Sequence, residues 1–250
     1  MQEQSQKKVT RVLKAENLVK TYKKRRVVDG VSFSMTNRDI VGLLGPNGAG
    51  KTTTFYMVIG LVKHESGKVW LDNKDITDMP MHRRAKLGLG YLPQEPSIFR
   101  KLTVYQNLMA ILETLSYTKH EREERAWELM DEFGILGLAD SVAMALSGGE
   151  RRRLEIARAL CSHPSFIMLD EPFAGIDPIA VGDIQEMIRK LRDSGIGILI
   201  TDHNVRYTLG ITDRAYILNE GRIIEEGTPE IIAASEQARK IYLGHDFSLK

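Results

Sequence analysis

Gly45-Pro46-Asn47-Gly48-Ala49-Gly50-Lys51-Thr52-Thr53 spells G-x-x-x-x-G-K-[ST] without a mismatch. Glycines let successive backbone N–H groups turn inward toward phosphate oxygens. A helix opening directly after such a loop adds its free N–H groups and its dipole. Lys51 is then placed to reach the β- and γ-phosphates of ATP, and the Thr52 hydroxyl to ligate Mg²⁺. Much later, Leu146-Ser147-Gly148-Gly149-Glu150 runs into Arg151 and offers a second glycine-rich cradle. One ATP needs one cradle on one chain, so the second suits a nucleotide held by another copy. The plainer reading is a capping box, Ser147-x-x-Glu150, opening a helix over residues 151–160. Both glycines lie inside that box, where they remove side chains from the helix N-terminus.

Two further clusters could complete a hydrolytic site. The apolar run of residues 166–169 ends in Asp170-Glu171-Pro172. A buried strand there delivers two carboxylates to the edge where open α/β sheets place ligands. Asp170 could hold Mg²⁺ through water, and Glu171 could polarise an attacking water as general base. The alternative is a pair of solvated acids after a strand. Residues 196–200 form another apolar run, ending in Thr201-Asp202-His203. His203 could donate to the γ-phosphate and orient the water, a reading that leans on the other motifs.

These groups need a scaffold of strands feeding loops. Residues 40–44 read as the buried strand before the phosphate loop, with a helix following to about residue 61. Residues 12–18 and 31–35 read as strands of an antiparallel edge sheet, and 68–72 alternates as a strand should. Residues 88–92 form a strand leading to Gln94. From Thr103 the texture turns helical. Thr103-x-x-Gln106 is a capping box, and Ala126, Leu129, Met130 and Phe133 recur at helical spacing. Residues 214–219 and 222–226 make a hairpin around Glu220-Gly221, and Thr228-Pro229 starts a helix. The expectation is one nucleotide-binding domain over residues 11–235, with a helical subdomain inserted at about 95–150, and a tail over 236–250.

Composition narrows the classes. The 250 residues are 42% hydrophobic and 27% charged, ordinary for a globular domain. A net charge of +2 gives no argument for nucleic acid. Lys23-Lys24-Arg25-Arg26 reads as a solvated hairpin turn. The single cysteine, Cys161, leaves no internal disulfide and fits a reducing cytosol. Residues 1–8 lack an apolar signal segment, and no stretch reaches the roughly 20 apolar residues of a membrane span. Any membrane contact is therefore expected to run through partners.

Taken in this order, the motifs resemble the ATP-binding cassette (ABC) ATPases over nearly the whole chain. The resemblance implies an α/β P-loop NTPase cassette with a RecA-like parallel-sheet core, an antiparallel β edge subdomain and a helical subdomain. It implies that Tyr22 stacks on adenine and that Gln94 senses Mg²⁺ and the membrane partner. It assigns Ser147, Gly148, Gly149 and Glu150 to the family signature, Asp170 and Glu171 to the metal and base positions, and His203 to the switch. Ala174-Gly175-Ile176-Asp177 resembles the D-loop, although that loop often begins Ser-Ala-Leu-Asp. The signature is often followed by Gln rather than Arg151. Two copies would pair head to tail around two ATPs. Residues 93–104 would line a groove for a helix of a membrane subunit, with Phe99 as anchor and Arg100 as polar handle. The alternative is Phe99 packed into its own domain.

Among the family's branches, GPNGAGKTTTFYMV, YLPQEPSIF, LSGGERRR, DEPFAGIDP and TDHNVR, with the tail Tyr242-Leu243-Gly244-His245-Asp246-Phe247, resemble the ATPases of lipopolysaccharide export. That resemblance implies two transmembrane permease subunits as partners and a peripheral place on the cytoplasmic face of the inner membrane. Branched-chain amino-acid importers and a soluble iron–sulfur cluster assembly ATPase are the alternatives.

Overall fold

The computed structural model describes residues 10–249. The reading of residues 1–8 as lacking a signal segment lies outside the described residues. The elements run β1 (Val12–Tyr22), β2 (Arg25–Thr36), β3 (Ile40–Leu44), α1 (Lys51–Ile59), β4 (Ser66–Leu71), β5 (Lys74–Asp75), α2 (Met81–Lys86) and β6 (Leu89–Leu92). They continue as α3 (Val104–Leu112), α4 (Lys119–Glu132), α5 (Gly148–Leu160), β7 (Phe166–Asp170), α6 (Pro178–Asp193), β8 (Gly197–Thr201), α7 (Val205–Leu209), β9 (Arg214–Asn219), β10 (Arg222–Gly227), α8 (Pro229–Ala234) and α9 (Glu236–Ala238). A single π turn, Arg239–Leu243, opens the end of the chain.

The larger sheet has the order β10-β9-β3-β8-β7-β6. Its pairs from β9 to β6 are parallel, and β10 closes the edge as an antiparallel hairpin strand. Parallel strands covered on both faces read as unbroken apolar runs, and β3, β7 and β8 are buried throughout. Their side chains still alternate. Ile40, Ile167, Leu169, Ile198 and Ile200 join the core under α3 to α6. Val41, Leu43, Phe166, Met168 and Leu199 join the core under α1 and the second sheet. That second sheet, β2-β1-β4-β5, is antiparallel.

The parallel register fixes where chemistry can occur. Asp170 lies beside Thr201 and Leu92 beside Leu169. The phosphate loop after β3, Glu171 after β7, His203 after β8 and Gln94 after β6 therefore leave one edge of one sheet.

The helical segment is held by local signals. Thr103, Thr118 and Ser147 each close a full capping box, with Gln106, Glu121 and Glu150 respectively. Details differ from the sequence reading. β1 and β2 extend to a two-residue turn at Lys23 and Lys24, both at positive φ, while Arg25 and Arg26 belong to β2. A tight hairpin turn demands that backbone. Thr228 occupies the position before Pro229 without capping the helix through its side chain.

Candidate active site

The phosphate loop is shaped by close backbone packing. Gly45 has φ 143° and Gly50 has φ 102°. A Cβ at Gly45 would run into the Leu218 carbonyl, and one at Gly50 into the Val27 carbonyl. Glycine alone fits these two places. Ala49 accepts from the Gly221 N–H at 3.0 Å, pinning the loop to the β9–β10 hairpin. α1 begins at Lys51 with Gly50 as its cap, no side-chain cap bond and no acid in its first turn. Its N–H groups and dipole are thus directed at the loop's hollow, which suits an anion. Lys51 Nζ donates to the Gly45 carbonyl at 2.7 Å and the Pro46 carbonyl at 3.0 Å. Burial lowers its pKa, opposed by the charges of Glu171, Asp170 and Asp202. Asn47, Gly48 and Thr52 are exposed at the loop, and Thr53 is partly covered. Tyr22, at the end of β1, is 46% exposed, with Lys20 Nζ 5.3 Å from its ring centroid.

The acids occupy different environments. Asp170 is only 4% exposed. Burial first, and the Glu171 charge second, push its pKa up to about 6, against Arg152 and hydrogen bonds from Tyr56 and Tyr91. Glu171 is partly exposed and sits at φ 47°, an unusual backbone for a residue other than glycine. The Thr201 carbonyl holds it there, accepting from the Glu171 N–H at 2.7 Å. Its Oε2 accepts from Gln94 Nε2 at 2.7 Å and lies 3.3 Å from His203 Nδ1. Three strand ends thus converge on one carboxylate oxygen. Asp202 is wholly buried, accepts from the Phe173 and Asn204 N–H groups, and has its pKa raised by burial. It ties the turn after β7 to the turn that carries His203.

The second cradle is a capped helix start and more. Glu150 N–H donates to Ser147 Oγ, and Ser147 N–H donates to Glu150 Oε2 at 2.8 Å. The capping box explains Ser147 and Glu150. It does not explain the glycines: a Cβ at Gly148 would come no closer than 3.8 Å to the Gly175 carbonyl, and one at Gly149 no closer than 3.7 Å to Ala180. A cavity of 220 Å³ joins Gln94, Glu171, Gly148 and Gly175. Beneath it lies a buried ion pair, Arg152 Nη1 to Glu155 Oε2 at 3.0 Å. Arg152 also donates to the Pro93 carbonyl, and Glu155 accepts from the Ser97 N–H. α5 is therefore tied to the segment carrying Gln94.

Phe99 is 45% exposed, so it is not a core residue of its own domain. Arg158 lies 5.1 Å from its ring centroid, and Arg100 beside it is exposed. Buried Asn107 holds the loop, accepting from the Phe99 N–H and donating to the carbonyls of Phe99, Leu102 and Thr103.

Sequence reasoning missed Tyr56 and Tyr91 around Asp170, the buried role of Asp202 and the Arg152–Glu155 pair. Tyr56 and Tyr91 lie far from Asp170 in the chain, as Phe173 does from Asp202, while Arg152 and Glu155, one helical turn apart, read as an ordinary surface pair until the fold buries them. Thr118-x-x-Glu121 was legible by the same spelling as Thr103-x-x-Gln106.

The chain is similar to known proteins over most of its length. The family described as ABC transporter matches residues 28–174. The chain is 59% identical over 239 residues to the lipopolysaccharide export system ATP-binding protein LptB of Haemophilus influenzae, covering 95% of this chain and 99% of that one. It is 58% identical over 238 residues to the LptB of Escherichia coli K12, covering 95% and 99%. Among solved structures, the ADP conformation of an ATP-binding cassette of an ABC transporter superposes with a TM-score of 0.85 at 30% identity, covering 94% of this chain and 99% of that one. A dimeric, post-hydrolysis cassette bound to ADP and Pi has a TM-score of 0.76 at 25% identity, covering 87% and 98%.

Proposed function

The chain belongs to the ABC transporter family and is one of its ATPases, and on that premise we propose that two copies close around two ATPs to drive lipopolysaccharide export. The observation that carries the shared site is the room at Gly148 and Gly149. Their own chain leaves space for a Cβ at both, so the bare helix start serves something outside the chain. Ser147, Gly148 and Gly149 of one copy then cover the phosphates lying on residues 45–53 of the other. The relative described as dimeric and bound to ADP and Pi supports pairing of two cassettes.

Within each site the residues divide the work. Residues 45–50 and the start of α1 present N–H groups to the phosphates, and Lys51 turns from its own loop carbonyls to the β- and γ-phosphates. Tyr22 offers an exposed ring face for the base. Among the described residues no cluster of three or more His, Cys, Asp or Glu side chains could hold a metal. The donor set suits Mg²⁺ all the same, since that ion needs one or two protein ligands and substrate phosphates. Thr52, Asp170 and Gln94 would hold it. Mg²⁺ supplies neutralisation of charge building on the phosphate oxygens. Glu171 takes the proton of the attacking water, His203 steadies Glu171 and the γ-phosphate, and Gln94 reports their state to residues 93–104.

Phe99 and Arg100 offer the anchor and the polar handle for a helix of each of two transmembrane permease subunits. Among the described residues no helix is long and apolar enough to cross a membrane. We place the protein at the cytoplasmic face of the inner membrane through those partners. The relatives named for lipopolysaccharide export weigh for that branch over the importer and assembly-factor alternatives.

The test is complementation. Ser147→Arg and Lys51→Ala chains should each be inactive as homodimers. Mixed, they should recover turnover, because the heterodimer keeps one intact composite site. Full turnover by Ser147→Arg alone would leave Ser147 as a helix cap and nothing else.

A further inference from the structure

The end of the chain reaches the nucleotide site from behind. Tyr242, in the π turn Arg239–Leu243, packs with Leu243 and Phe247 on a core of Leu44, Leu209, Ala215 and Ile217. Leu44 is the last residue of β3, and the phosphate loop begins at the next position. Leu209 closes α7, the helix that follows His203. Arg206 of α7 lies 6.0 Å from the Phe247 ring centroid. The tail thus spans the two segments that meet the phosphates.

The Tyr242 hydroxyl is buried, and no described group meets it at full hydrogen-bonding geometry. The Gly45 backbone and the Asp202 carboxylate are the groups that act on it. A buried hydroxyl without a complete bond is costly to keep where phenylalanine would fill the same space. Burial pushes its pKa up to about 12, so the hydroxyl stays protonated at neutral pH.

We propose that Tyr242 is a positioning residue for the nucleotide site, its hydroxyl bracing the first glycine of the phosphate loop against the segment carrying Asp202 and His203. The inference rests on the nucleotide-site reading above. Nucleotide drawing the loop into its bound shape completes the Tyr242 bond, and the tail is tightened in return, because coupling between two sites is reciprocal.

The experiment compares full-length wild type with Tyr242→Phe. ATP and ADP dissociation constants, KM, kcat and melting temperature are measured on each. Tyr242→Phe should raise both dissociation constants and KM by about three- to tenfold, the worth of one hydrogen bond. Its kcat at saturating ATP should stay within about twofold, and its melting temperature should hold or rise. A merely structural role would lower the melting temperature and leave KM unchanged, which overturns the proposal. In wild type, ATP should slow backbone hydrogen exchange over residues 239–247; unchanged exchange also overturns it. If wild type itself binds no ATP, the nucleotide-site reading fails; if wild type binds and Tyr242→Phe binds equally well, only this inference fails.

Discussion

Gln94 donates its Nε2 to Glu171 Oε2 at 2.7 Å, joining the end of β6 to the end of β7 through a single hydrogen bond. The same oxygen lies 3.3 Å from His203 Nδ1 beyond β8. The carboxylate that we propose takes a proton from water is thus held by Gln94, just after β6, and by His203, just before α7. Glu171 keeps an uncommon left-handed backbone to stand there, as residues at functional sites do.

Glu171→Gln keeps the shape and loses the proton acceptor. ATP binding should persist and turnover should fall by at least about a hundredfold. ATP should then accumulate a closed dimer, visible as a shift in size-exclusion elution. Turnover near wild type would remove Glu171 from the role of base.

Asp170 gives a pH signature. Its pKa is raised to about 6, chiefly by burial. A carboxyl that binds its proton more tightly folded than unfolded costs stability as pH rises from about 4 through 6, and the whole cost stands above that window. Asp170→Asn without nucleotide or metal should therefore be more stable than wild type at pH 8, by on the order of 2–3 kcal/mol in denaturant unfolding. The gap should close near pH 4. A variant less stable at both pH values would contradict the burial account.

Much of this was legible before the fold. The phosphate loop, the capping boxes at Thr103 and Ser147, and the apolar strands before Asp170 and His203 are all local patterns, and local patterns survive in sequence. Asp202 was not legible, since its role depends on Phe173 N–H arriving from the turn after β7. Tyr91 at Asp170 depends on the parallel register of β6 on β7. The buried Arg152 was spelled as one of three surface-like arginines, and only helix phase puts it inward.

Phe99→Ala tests docking. The ring is 45% exposed and its loop is held by Asn107, so the variant should fold and hydrolyse ATP. Binding to membrane partners should weaken by about 2 kcal/mol or more. A pull-down from solubilised membranes at wild-type yield would return weight to a soluble assembly factor.

Asn107→Ala should act on the same surface through stability. It strands the Phe99 N–H and the carbonyls of Phe99, Leu102 and Thr103. A loss of roughly 2–3 kcal/mol in denaturant unfolding is expected, with weakened partner binding. Unchanged stability would mean that the loop holds itself.

On the proposed reading Ser147 faces a nucleotide on another copy, beyond its duty as a cap. Ser147→Asp separates the two, because aspartate caps helices as well as serine does but sets a carboxylate against phosphate. The measurement is steady-state ATP turnover of the Ser147→Asp protein. Turnover should fall by at least about a hundredfold, the scale of losing one transition-state contact and adding repulsion. Turnover within about twofold of wild type would show that Ser147 is a cap alone, and the shared site would be contradicted.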